Sequence, residues 1–95
     1  MPAYCIVRVD VSNPEQYAKY AELARPAVEA YGGEFLARGG QTIVKEGVAR
    51  ERNVIIRFES MAQANAFYES AEYQQALSFA EGASTREYII VEGVN

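Results

Sequence analysis

Along AYCIVRVDV, residues 3–11, Cys5, Val7, Val9 and Val11 fall on one side of an extended chain and Tyr4, Ile6, Arg8 and Asp10 on the other. β-Branched residues at a period of two predict a strand with one buried face. The period then lengthens. Tyr17, Tyr20, Ala21, Ala24, Ala27, Val28 and Tyr31 recur at spacings of three and four, which lays one apolar stripe along a helix. Asn13 is placed to cap its start, Pro14 occupies the first turn where a missing N–H does no harm, and Glu15 meets the positive end of the helix dipole. Pro26 removes one rung of the hydrogen-bond ladder and predicts a kink, and Gly32 supplies the left-handed residue that closes the helix.

Alternation returns in GEFLARG (33–39) and continues in QTIVKEG (41–47). The expected element is one long edge strand bulged at Gly39 and Gly40, with a tight hairpin at the same glycine pair as the alternative. VARER is then a loop, and NVIIRFE (53–59) a strand. Ser60 and Gln63 form a capping box ahead of Met61, Ala64, Phe67 and Tyr68; Ser70 is a second cap ahead of Tyr73, Ala76, Leu77 and Ala80. REYIIVEGV (86–94) closes the chain as a strand. The order β-α-β-β-α-β predicts an α+β, ferredoxin-like fold: a four-stranded antiparallel sheet with its helices on one face, built as a single domain over residues 1–95.

The helix-facing rows are expected to be Cys5, Val7 and Val9; Phe35 and Ala37; Val54, Ile56 and Phe58; and Ile89 and Val91. The opposite rows are mixed: Tyr4, Ile6, Arg8 and Asp10; Glu34, Leu36 and Arg38; Ile55, Arg57 and Glu59; Tyr88, Ile90 and Glu92. Four large aliphatic residues, Ile6, Leu36, Ile55 and Ile90, would share that face, and an apolar patch of this kind marks an interaction surface. The economical cover is a second copy of the sheet, giving a homodimer through the mixed face, a dimeric α+β barrel.

Charge and missing chemistry narrow the function. Nine basic and thirteen acidic side chains leave a net charge of −4, which repels nucleic acid and anionic membrane. A βαββαβ RNA-binding module would need a basic surface and exposed aromatic residues on its central strands, where NVIIRFES offers one aromatic. The chain contains no histidine, so the Ser-His triad, the usual haem ligand and the common zinc ligand are all absent; no metal and no cofactor are expected. Cys5, the one cysteine, sits in an apolar run, and no apolar stretch nears the roughly 20 residues of a membrane span, so a soluble, cytoplasmic protein is expected. The glycines around EFLAR do not form a phosphate cradle, because a helix precedes them and a strand follows.

Seven of the nine basic residues are arginine, the side chain suited to forked pairing with an oxyanion. Arg8, Arg38 and Arg57, with Tyr68, Tyr73 and Tyr88, are the candidate site for a small anionic organic molecule held between sheet and helices. Two alternatives stay open: a cofactor-free oxygenase or isomerase, and a purely structural dimer whose arginines pair with Asp10, Glu34, Glu59 and Glu92.

AYGGEFLARGG, the EG at 46 and 47, FESMAQANAFYESAEYQQA and IIVEGV together resemble the bacterial family of the domain of unknown function 1330. The matching positions are Gly32, Gly33, Arg38, Gly39, Gly40, Glu46, Phe58, Phe67, Tyr68, Ser70, Tyr73, Glu92 and Gly93. The resemblance implies a ferredoxin-like domain in a dimeric α+β barrel and no established activity. Val48 stands where the family often carries an aromatic residue, and Ala80 and Gly82 where it carries basic ones.

Overall fold

Local chemistry sets the boundaries of the elements in the computed structural model, which describes residues 1–94. Strand β1 (Ala3–Val11) is followed by helix α1 (Pro14–Ala30), whose start is capped by the Asn13 side chain accepting the Gln16 N–H at 3.2 Å. The helix runs through Pro26 as one element and ends at Gly32, which takes a positive φ of 78°. Strands β2 (Glu34–Arg38) and β3 (Arg52–Phe58) come next, then α2 (Met61–Glu69), α3 (Ala71–Ala80) and β4 (Ser84–Glu92). Ser70 divides the second helical stretch: its hydroxyl donates to the Phe67 carbonyl and accepts the Tyr73 N–H, closing α2 and opening α3 with one residue.

The sheet order is β2-β3-β1-β4 with every pair antiparallel, as the β-α-β-β-α-β order requires. Cys5, Val7, Val9, Ile56 and Phe58 are buried under the helices together with Phe67 and Tyr73. Helix α1 lies chiefly against α3 and comes less near to the sheet. That spacing matters for the site.

The sheet departs from simple alternation in three places. First, the expected long edge strand ends at Arg38: Gly39, with φ of 67°, turns the chain away while its N–H still bonds the Asn53 carbonyl, and residues 41–45 form no strand. Neither a bulge nor a hairpin forms at Gly39 and Gly40. Second, the bulge lies earlier, between Phe35 and Ala37; Phe35 pairs with Ile56, Ala37 with Ile55 and Arg38 with Val54. This extra residue puts Arg38 on the helix side and not on the open face, because Val54 belongs to the helix-facing row. Third, the faces of β4 are the reverse of those expected. Val7 pairs with Tyr88 and Cys5 with Ile90, so Tyr88 and Ile90 look toward the helices while Ile89 and Val91 lie on the open face, 58% and 43% exposed.

The loop between β2 and β3 returns through polar anchors. Arg8 donates to the Val48 carbonyl, and Asp10 accepts from the Glu51 N–H and from Arg50, both at 2.8 Å.

Gly33 gives the tightest packing constraint of the α1–β2 turn. A Cβ there would lie 2.7 Å from Val28 Cγ1 and 2.8 Å from the buried Phe58 ring, and neither neighbour can swing into solvent. Gly33→Ala is expected to cost about 1–3 kcal/mol by overpacking, read as a lower urea midpoint with an unchanged slope.

Candidate functional site

Because α1 stands off from the sheet, a cavity of about 410 Å³ opens between them. Its sheet side is apolar, supplied by Val7, Val9, Val54 and Ile56, and its helix side brings the phenols of Tyr17, Tyr20 and Tyr73. Size and lining are those of a small-molecule site.

The charge of the lining is one-sided. Arg25 from α1, Arg38 from the end of β2 and Arg52 from the start of β3 contribute guanidinium groups, and no Asp or Glu lies among the lining residues. Aromatic faces hold two of them: Arg38 sits 4.7 Å from the centre of the Phe35 ring and Arg52 5.5 Å from that of Tyr17. Among the described residues, the ion pairs involve Arg8 and Arg50 and none of these three. Their forks are therefore available to an oxyanion.

A buried polar cluster adjoins the same wall. Arg86 enters from β4 with its guanidinium 4.7 Å from the Tyr20 ring centre; Nη2 donates to the Tyr20 hydroxyl at 2.8 Å and to the Tyr73 hydroxyl at 3.1 Å. The two hydroxyls are 3.0 Å apart. Burial raises the Tyr20 phenol well above its ordinary range, reinforced by Tyr73, so it is a neutral hydrogen-bonding group. Burial and the nearby Cys5 thiol raise Tyr88 in the same way, and its buried hydroxyl has no hydrogen-bond partner.

Of the residues singled out in the sequence, Arg38, Tyr73 and Tyr88 come together on the cavity wall. Tyr68 stands one layer behind, its ring 5.2 Å from Tyr73 and 5.0 Å from Tyr88. Arg8 and Arg57 lie elsewhere. Both belong to the open face, where Arg8 pairs with Glu87 at 3.3 Å and Arg57 stands between Glu34 and Tyr4 in the register. Asp10 takes Arg50 as its partner and not a strand arginine. Arg25, Arg52 and Arg86 escaped the sequence reading. The available signal was the row Arg86, Tyr88, Ile90, which alternates as cleanly as Ile89 and Val91 and carries the larger side chains. Among the described residues no three His, Cys, Asp or Glu side chains gather as a metal site, and no helix is long and apolar enough to cross a membrane.

Similar folds are known. A protein of unknown function from Rhodopseudomonas palustris superposes with a TM-score of 0.78 at 18% identity, over 99% of this chain and 83% of that one. A dimeric ferredoxin-like protein of unknown function from Jannaschia sp. gives 0.79 at 11% identity over 98% and 100%. SnoaB, a cofactor-independent oxygenase from Streptomyces nogalater, gives 0.67 at 12% over 99% and 94%. No curated protein matches the chain. The family described as "domain of unknown function (DUF1330)" matches residues 2–94, and the chain belongs to that family.

Proposed function

We propose that this protein is a homodimer, joined through the open sheet face, that binds a small anionic organic molecule between sheet and helices. The observation that carries the binding reading is the charge inversion of the cavity: a chain of net charge −4 lines it with Arg25, Arg38 and Arg52 and with no carboxylate. An apolar body would rest on the valine-rich floor and its acidic group on the guanidinium rim. Cys5, free and buried, suits a reducing compartment such as the cytoplasm.

The dimer reading rests on the open face. Ala37, Ile55, Ile6 and Ile89 are successive cross-strand partners and make an apolar band across all four strands, flanked by Leu36 and Val91. Structural neighbours from Jannaschia and Bacteroides fragilis are themselves described as dimeric. Native mass spectrometry of freshly purified protein tests both readings at once: a dimer mass with a discrete adduct supports them, a bare dimer supports the structural alternative, and a monomer removes the interface.

Calorimetric titration with 4-isopropylbenzoate then tests the rim. Arg38→Gln is expected to weaken binding about tenfold, the loss of one charge-assisted pair. Lys19→Gln, which makes the same charge change outside the cavity, should leave affinity unchanged; equal losses in both would mean the effect is only net charge.

A second reading, a cofactor-free oxygenase or isomerase, is favoured by the phenols on the cavity wall and by the shared fold with the Streptomyces oxygenase. It predicts dioxygen uptake or isomerisation with electron-rich phenolic acids that Arg38→Gln abolishes. A broad panel without turnover would exclude it.

A further inference from the structure

The Tyr20–Tyr73–Arg86 cluster has one proton too many for its own hydrogen bonds. Arg86 Nη2 donates to both hydroxyls, so each oxygen is an acceptor toward it. Between them the two phenols hold two protons, and the 3.0 Å contact between their oxygens uses one. The other has no acceptor among the described residues. Tyr73 is 1% exposed, and both tyrosines line the cavity, so the cavity is where an acceptor for that proton can stand. A hydroxyl proton that faces the cavity without a protein acceptor can be taken up by an oxygen placed there by a ligand.

A second observation bears on the same point. Arg86 carries a positive charge that meets phenols and aromatic rings but no carboxylate, because the ion pairs of the described residues all lie at Arg8 and Arg50. Its Nε is buried and without a hydrogen-bond partner. A guanidinium so placed favours electron-rich oxygen beyond the hydroxyls it polarises.

Building on the anion-binding reading above, we infer that the ligand is two-ended: a carboxylate for the arginine rim and, across an apolar body, a carbonyl or phenolate oxygen that accepts the spare proton of the Tyr20–Tyr73 pair. The accounting of protons gives an unusual signature. Removing either hydroxyl leaves one phenol with one proton, so each single variant keeps a phenol donor at this spot; the double variant removes both and leaves only the neighbouring Arg86 and Tyr88 groups.

The test compares 4-acetylbenzoate with 4-isopropylbenzoate, which differ by a carbonyl oxygen in place of a methyl group. In Tyr20→Phe/Tyr73→Phe the affinity ratio should move toward the isopropyl acid by about tenfold relative to the unmodified protein. Each single variant should move it by less than about threefold. In the unmodified protein and both singles, the ketone stretch of bound 4-acetylbenzoate should lie at lower frequency than in an apolar solvent, a readout that does not depend on the double variant folding. An unchanged ratio in a double variant that still binds, or a stretch at the apolar-solvent value in the unmodified protein, overturns the proposal. Should both acids bind and weaken alike in Arg38→Gln while the ketone shows neither effect, only the two-ended ligand is wrong. Should neither acid bind the unmodified protein, the anion-binding reading falls and this proposal with it.

Discussion

Ile6→Asp is expected to convert the proposed dimer into a monomer. Ile6 pairs with Ile55 on one side and Ile89 on the other, at the centre of the band that runs from Ala37 across the sheet. In a twofold packing each subunit would bring one carboxylate into that apolar layer, whose same-face arginines are Arg8, already paired with Glu87, and Arg57, in the row on the other side of Ile6. Desolvating a carboxylate in an apolar interface costs several kcal/mol even with such a neighbour in reach, so a loss of about 3 kcal/mol, or roughly 100-fold in dimer affinity, is expected. The side chain points away from the helices, so the fold of the single chain should persist. Sedimentation velocity over a concentration series reads the result, with circular dichroism to confirm the fold. A variant that stays dimeric would place the interface elsewhere, and a monomeric parent protein would end the argument.

Phe67→Ala should produce the largest loss of stability. The ring is 0% exposed, with its centre 5.2 Å from that of Phe58, 4.6 Å from Tyr73 and 6.1 Å from Tyr31. It ties α2 to β3, to α3 and to the end of α1. Truncation removes both its buried area and its share of this aromatic packing, leaving a void that rigid rings on three sides cannot fill. The expected cost is about 3–5 kcal/mol, a fall in Tm of roughly 15–30 °C for a chain of this size. Phe67→Leu, which keeps much of the volume, should cost about 1.5 kcal/mol or less. Because Phe67 also lines the cavity, the alanine variant should in addition weaken the proposed binding of an aromatic acid. A thermal shift below a few degrees would mean that the core collapses into the gap.

Most of the fold was legible in the sequence because it is written in short-range chemistry. Asn13, Ser60 and Ser70 each cap a helix where their side-chain oxygens can reach an N–H three residues on. The site was legible in part. Arg38 and Tyr73 were identifiable as residue types, but the face that Arg38 occupies depends on a bulge, which simple alternation cannot reveal. In β4 both rows are apolar, so hydrophobicity does not choose between Tyr88 with Ile90 and Ile89 with Val91; packing against Val7 and Cys5 does. Arg86 could not be found while its row was assigned outward. Arg25 and Arg52 became visible only through the standing-off of α1, a tertiary effect of its packing chiefly against α3. The QTIVKEG segment reads as a strand and is a loop, since Gly39 turns it out of the sheet before any partner is available.

The bulge in β2 also has a meaning for chain length. In a regular strand Phe35 and Arg38, three residues apart, would point to opposite faces; the extra residue changes the parity, and the guanidinium lies over the Phe35 ring. Leu36 is the residue the ladder skips, since Phe35 pairs with Ile56 and Ala37 with the adjacent Ile55. A chain lacking a residue here would therefore run Phe35, Ala37, Arg38 against Ile56, Ile55, Val54 as an unbroken ladder, with the arginine still facing the cavity. Position 36 is thus where an alignment of the family can open a one-residue gap without moving charge from the cavity side of the sheet to the open side.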